Sequence, residues 1–175
     1  MVTKNWYNVM KAYRAQSNLT DAAKNIYGTM KTISYYLTTD VIPTITLRPT
    51  KGLYLVSTSH SDQFSTWIIV GSGTAPATVD DYNLQSMITS GLSASLSSSV
   101  DGDNDTIYKL NITNTSSEDI TIGEVGMIGP FFETNSSSFP CLALMERTVL
   151  DSPITIPAGG IGMLDYAIKI PIPTA

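Results

Sequence analysis

The sequence predicts an all-β protein, an antiparallel β-sandwich of jelly-roll type preceded by one short α-helix. Three observations carry the prediction. Charged residues make up only 14% of the chain, and Thr, Ser, Asn and Gly take their place, a composition that favours strands and turns. Apolar runs of strand length recur at intervals of roughly 10–15 residues with no helical pattern between them, which argues against a βαβ order. Tyr108, Leu110 and Ile112 alternate with Lys109, Asn111 and Thr113, the mark of a sandwich strand with one wet face. At 175 residues the chain is long enough for one domain with its own core and too short for two ordinary ones. Residues 1–16 are therefore expected as a helical arm and residues 17–175 as a single sandwich domain.

Taken in order, the first segment places Trp6, Val9, Met10 and Tyr13 at i, i+3, i+4 and i+7, with Lys4, Asn8, Lys11 and Arg14 on the other side. So short a helix is marginal alone, and its stripe must rest on its own core or on a neighbouring subunit. Between Thr20 and Thr39 the signals conflict. Ala22, Ala23, Ile26, Tyr27 and Met30 suit a helix face, but Gly28 interrupts it and TMKTISYYLTT is β-type, so strands are expected. Strands follow at 44–48, 52–57 and 64–70, separated by Pro, Gly, Ser and Asp turn signals. Trp67-Ile68-Ile69-Val70 lacks alternation, as expected of a central strand covered on both faces.

Leu92, Ala94 and Leu96 alternate with serines, giving a half-exposed strand that runs to the acidic turn DGDND. Beyond the Tyr108 strand, the inward positions Ile120 and Ile122 give way to Val125 and Met127. The period slips by one at Gly123-Glu124, which predicts a β-bulge. Strands at 141–150, 153–156 and 161–170 complete the pattern, the last with Leu164, Tyr166, Ile168 and Ile170 on one face after a PAGG turn.

Charge and composition exclude several functions. Net charge is −5 and the basic residues are scattered, so neither nucleic acid nor an anionic membrane is an expected partner. The lone Cys141 excludes an intrachain disulfide, and MVTKNWYNVMKAY has no secretory h-region. Folding in a cytoplasm is the expectation. No apolar run approaches the roughly 20 residues that span a bilayer.

Candidate sites meet simpler readings. His60 is the single imidazole, and Ser59, Ser61 and Asp62 adjoin it in sequence rather than converging on it, so a solvated loop is expected rather than a triad. Cys141, within Cys-Leu-Ala-Leu-Met, reads as a small core residue. Asp101, Asp103 and Asp105 have the spacing of a calcium loop, but Thr106 stands where its glycine belongs and Ile112 where its closing acid belongs. A solvated hairpin turn is expected there, with weak ion binding as the alternative. Glu118, Asp119, Glu124, Glu133 and Asp165 offer carboxylate pairs of the kind a glycosidase uses, as any such acid set would. Gly71-Ser72-Gly73 lacks the third glycine and lysine of nucleotide loops and reads as a turn. No enzyme activity and no cofactor are expected. Trp6, Tyr7, Tyr35, Tyr36, Tyr54 and Tyr82 are candidates to stack on sugars or to anchor a subunit interface. Neutral Ser/Thr/Asn-rich strand faces suit flat, wet contacts between like subunits.

The run VGSGTAPATVDDYNL at 70–84, and the runs EDITIGEVGMIG and LALMERTVLDSPITIPAGGIGMLDYAIKI, resemble segments of small virion proteins of tailed bacteriophages. The resemblance covers roughly the second half of the chain. It implies a head, neck or tail component made in the host bacterial cytoplasm, located in the virion, and assembled with copies of itself and other virion proteins. Capsid decoration belongs to the same reading, and a carbohydrate- or host-receptor-binding module of a tail fibre is the alternative. Within these segments Gly73 and Pro76 are expected to set a turn and Glu124 to sit at the bulge. Arg147, beside Glu146 in an otherwise apolar strand, is expected either to bridge to a neighbouring strand or subunit or to face water at an edge. Trp6, Met10, Tyr13 and Arg147 are the interface candidates.

Overall fold

Residues 1–15, 17–33, 53–55, 65–100, 106–131 and 141–168 are described by a computed structural model of the chain. After helix α1 (Lys4–Ala15) come strands β1 (Leu19–Lys24), β2 (Met30–Ile33), β3 (Trp67–Gly71), β4 (Leu92–Val100), β5 (Thr106–Asn114), β6 (Ile120–Phe131), β7 (Cys141–Ile156) and β8 (Ile161–Ile168). β1 and β2 form a hairpin, and the remaining strands form two sheets, β3-β6-β7 and β4-β5-β8. All pairings between them are antiparallel. The protein is thus mostly β, sandwich-like, with one short N-terminal helix. The strand expected at 44–48, half of the one at 52–57, and the DGDND turn lie outside the described residues.

Alternation decides which faces meet. Tyr108, Leu110 and Ile112 of β5, with Leu164 and Tyr166 of β8, are buried, and so are Ile68, Val70, Ile122, Val125 and Met127 of the other sheet. These residues belong to one continuous core, so the sheets meet through the apolar faces that the sequence marks. Each fully buried aliphatic side chain contributes about 1.5–3 kcal/mol. A second cluster of Ile69, Ile128, Leu142 and Leu144 with Ile26, Tyr54 and Leu84 covers the reverse face of β3-β6-β7. That second layer explains the lack of alternation in β3 and in β6, which is buried from Ile122 to Phe131. β6, not β3, holds the middle of the described ladder, although the Tyr54 N–H donates to Ile68 O at 2.8 Å on the far side of β3.

As far as Ile33, the last described residue of the ambiguous stretch after residue 20, the chain forms strands because Asn25 turns it. Its side-chain Oδ1 accepts from the Tyr27 and Thr29 N–H groups at 3.1 and 2.9 Å, and Gly28 takes the left-handed φ of +83° that the hairpin needs. The expected bulge is present, with the β6–β7 register shifting between Ile122 and Glu124. Two expected strands, at 141–150 and 153–156, prove to be one.

α1 faces the body one residue away from the predicted stripe. Val9 and Ala12 are buried with Asn5, whereas Trp6 and Met10 are half-buried flanks. The cause is polar. Asn5 Nδ2 donates to Lys24 O and the Lys24 N–H donates back to Asn5 Oδ1, both at 2.9 Å, so the amide behaves as one more strand residue beside β1. Ahead of the helix, Val2 pairs with Glu146, the Thr3 N–H donates to Met145 O and the Arg147 N–H to Met1 O, both at 3.0 Å. The first residues thus extend the ladder at β7.

Candidate functional site

The densest polar constellation lies on the reverse face of β3-β6-β7. Glu124 follows the bulge in β6, and Arg147 of β7 pairs with Gly126, so the two side chains are diagonal neighbours on one face, within reach of long residues. Arg147 Nε donates to Glu124 Oε2 at 2.8 Å, with the side chains 3% and 0% exposed. Such a pair survives burial only where its remaining hydrogen-bonding capacity is met. Here it is met by the loop after β3.

That loop is closed at its neck by the Ser72 N–H donating to Ser86 O and the Ile88 N–H donating to Val70 O, both at 2.9 Å. Glu124 fills the neck. Its Oε1 accepts from the N–H groups of Gly73 and Ser86 at 3.2 and 2.8 Å, and its Oε2 from that of Gln85 at 3.1 Å. Gln85 Oε1 holds the outgoing strand of the loop, accepting from the Thr74 and Ala75 N–H groups at 3.1 and 2.9 Å. The guanidinium continues past Glu124, donating to Ala75 O at 3.0 Å and to Asp81 Oδ2 at 2.7 Å. Asp81 in turn accepts from the Thr78 N–H and hydroxyl, both at 2.8 Å.

Burial pushes the Asp81 carboxyl up, but the Thr78 N–H, the Arg147 guanidinium, the Thr78 hydroxyl and the Arg147 charge outweigh it, so Asp81 titrates below its ordinary range. Burial likewise works against the Arg147 charge, and its hydrogen bonds to Asp81 and Glu124, with their charges, hold its pKa above the ordinary value. Both groups are charged at neutral pH. The hub's chemistry is retention: two carboxylates and one guanidinium, engaged by each other and by backbone, hold a loop with no sheet of its own.

The hub's Asp81, Gln85 and Arg147 help line an open groove of about 690 Å³, together with Ile26, Tyr27, Pro76, Asp80, Tyr82 and Asn83. Tyr27 is well exposed, and Lys24 Nζ lies 4.6 Å from the centre of the Tyr82 ring. A second polar knot gathers on Glu146, which accepts from the Met1 ammonium at 2.5 Å, from Thr148 Oγ1 at 2.7 Å, and from the Tyr166 hydroxyl.

The residues singled out from sequence scatter. Asp101, Asp103 and Asp105, His60 with Ser59, Ser61 and Asp62, and Glu133 lie outside the described residues, as does the side chain of Tyr13. Cys141 is half-buried at the start of β7. Glu118 and Asp119 are exposed between β5 and β6, and Asp165 is exposed on β8, away from Glu124 in its neck. Among the described residues no group of three or more His, Cys, Asp or Glu is placed to hold a metal ion, and no helix is long and apolar enough to cross a membrane. Arg147 corrects the reading of a water-facing edge charge: it is buried and bridges elements of its own chain. Sequence patterning misses Asp81 as its partner, though an Arg and a Glu within apolar strands signal that buried counter-charges are needed. No family model, curated protein or solved structure matches the chain.

Proposed function

We propose that the chain is a non-enzymatic structural subunit of a tailed-bacteriophage virion, working as one of several identical copies beside other virion proteins. One observation carries the reading. The segments that resemble small virion proteins, 70–84 and the two runs of the C-terminal third, are joined by Glu124, Arg147 and Asp81 into one buried unit. The hydrogen bonds of that unit are spent on holding a loop, as suits a part whose work is shape. Peptide mapping of particles purified from the source lysate, together with the native mass of the purified protein, tests the proposal. Peptides present at many copies per particle and a multimeric mass are expected. A monomer at high concentration that is absent from particles overturns it.

A second reading, a glycan-binding module, is favoured by the groove beside Tyr27 and Tyr82, where tyrosine rings adjoin Asp80 and Asn83 as sugar platforms adjoin hydrogen-bonding groups. Binding on a glycan array that Tyr27→Ala abolishes would establish it.

A further inference from the structure

We infer that two copies of this chain meet through the outer face of the β4-β5-β8 sheet, about a two-fold axis running parallel to the strands between β5 and β8. The inference rests on the homo-oligomeric reading above and names its surface. The face is open: Ser93, Ser95 and Ser97 of β4, Lys109 and Asn111 of β5, and Asp165 and Ala167 of β8 are all exposed. Among the described residues, two of the most exposed large apolar side chains also stand there, Ile161 at 71% and Met163 at 76%, where a strand facing only water would carry polar residues.

The register selects a second copy as the occupant. Lys109 stands directly across from Asp165, Asn111 from Met163, Thr113 from Ile161 and Ile107 from Ala167. An axis midway between the two strands lays each of these residues over its own cross-strand neighbour in the other copy. Lys109 of each chain then covers Asp165 of the other, Ile107 covers Ala167, and the polar Asn111 and Thr113 cover Met163 and Ile161. Within one chain, Lys109 Nζ and Asp165 Oδ2 are 3.8 Å apart, 51% and 61% exposed, so among its described residues the face carries one charge of each sign and is complementary to itself. The chain as a whole carries −5, which opposes association, and a face whose described charges balance lets two copies approach at lower cost. Three strands about 4.8 Å apart and about 8 residues long make a small face, so the contact is weak singly and suited to an assembly with many copies.

Charge reversal tests it. Lys109→Glu and Asp165→Lys, each at an exposed site, are prepared separately, checked by circular dichroism for an unchanged fold, and followed by sedimentation velocity from micromolar to high micromolar concentration. The wild-type chain associates. Each variant alone places like charges opposite each other and loses affinity by on the order of tenfold or more. An equimolar mixture of the two recovers association, because the acid introduced at position 109 of one chain then covers the lysine introduced at position 165 of the other, while the retained Asp165 and Lys109 cover each other. Association that neither variant weakens, or a mixture no better than its parts, overturns this surface while leaving the homo-oligomeric reading in place. A wild-type chain that stays monomeric throughout overturns both.

Discussion

Glu124 and Arg147 meet 2.8 Å apart inside the protein, and between them they receive or donate hydrogen bonds at both ends of the loop that follows β3. Removing the Glu124 charge is therefore expected to cost more than one contact. In Glu124→Gln, an NH2 replaces an oxygen that faces either two loop N–H groups or the guanidinium and another N–H, and Arg147 is left with one acid. A loss of about 3–5 kcal/mol is expected in urea unfolding, the range for breaking a buried pair. Combining it with Arg147→Met should cost less than the sum of the single losses. A loss below about 1 kcal/mol would contradict the buried geometry.

Asp81 sets an acid limit on the same unit. Its folded pKa lies below its unfolded one, so between the two the unfolded chain binds more protons and stability rises with pH. The contribution is complete above the unfolded value of about 3.9 and fades as pH falls through the folded one. The stability difference between the wild-type chain and Asp81→Asn should shrink as pH is lowered from about 6 towards about 2.5. Denaturant titrations across that range check this, and a difference that stays constant would place Asp81 outside the hub's energetics. The stability linked to the raised Arg147 pKa is lost only as pH rises beyond any ordinary working range.

Close approach makes a sharper test of where the loop sits. A Cβ on Gly123 would lie 2.7 Å from Gly73 O and 3.2 Å from Ser72 O, both backbone atoms of the loop neck. A Cβ on Gly129 of the same strand would meet flexible Met145 side-chain atoms at 3.4 Å. Gly123→Ala should thus cost about 2 kcal/mol or more, the scale of overpacking, and Gly129→Ala well under about 1 kcal/mol. Equal costs in thermal melts would mean that the loop does not pass over the bulge.

What the sequence reveals follows from which faces are wet. β5 and β8 are readable because a solvated side enforces period two, and the slip at Gly123-Glu124 betrays the bulge against that period. A second irregularity, between Met127 and Ile128, leaves no such trace, since β6 is buried on both faces there and has no polar beat to lose. A break is expected between residues 150 and 153, yet β7 runs through it. Ile122 pairs with Ile154 and Glu124 with Val149, so residues 150–153 loop out opposite Gly123 alone, where a missing N–H breaks no ladder. The hub is half legible: Arg147 and Glu124 stand out as charges in apolar strands, while Asp81, in a stretch that reads as a turn, becomes a partner only through the fold. Asn5 escapes notice because patterning treats an amide as surface, whereas this one substitutes for backbone.

The helix supplies the last prediction, and it separates a core element from a detachable arm. Val9 and Ala12 are 0% exposed, Thr3 Oγ1 donates to Leu144 O at 2.6 Å, and Asn8 Nδ2 donates to Ala22 O at 2.5 Å. Removing residues 1–16 would strip the inner cover from β1 and the neighbour from β7, so the product is expected to unfold or to expose apolar surface rather than remain a stable sandwich. Asn5→Leu distinguishes the polar stitch from simple burial. Leucine has a similar size but leaves the Lys24 N–H and C=O without partners, at a cost of about 1–3 kcal/mol. Tyr7→Ala, on the outer side at 62% exposure, should change stability by no more than about 0.5 kcal/mol. If Asn5→Leu proved as harmless as Tyr7→Ala and the truncated chain melted like the full one, the helix would be an arm after all, free to serve another subunit.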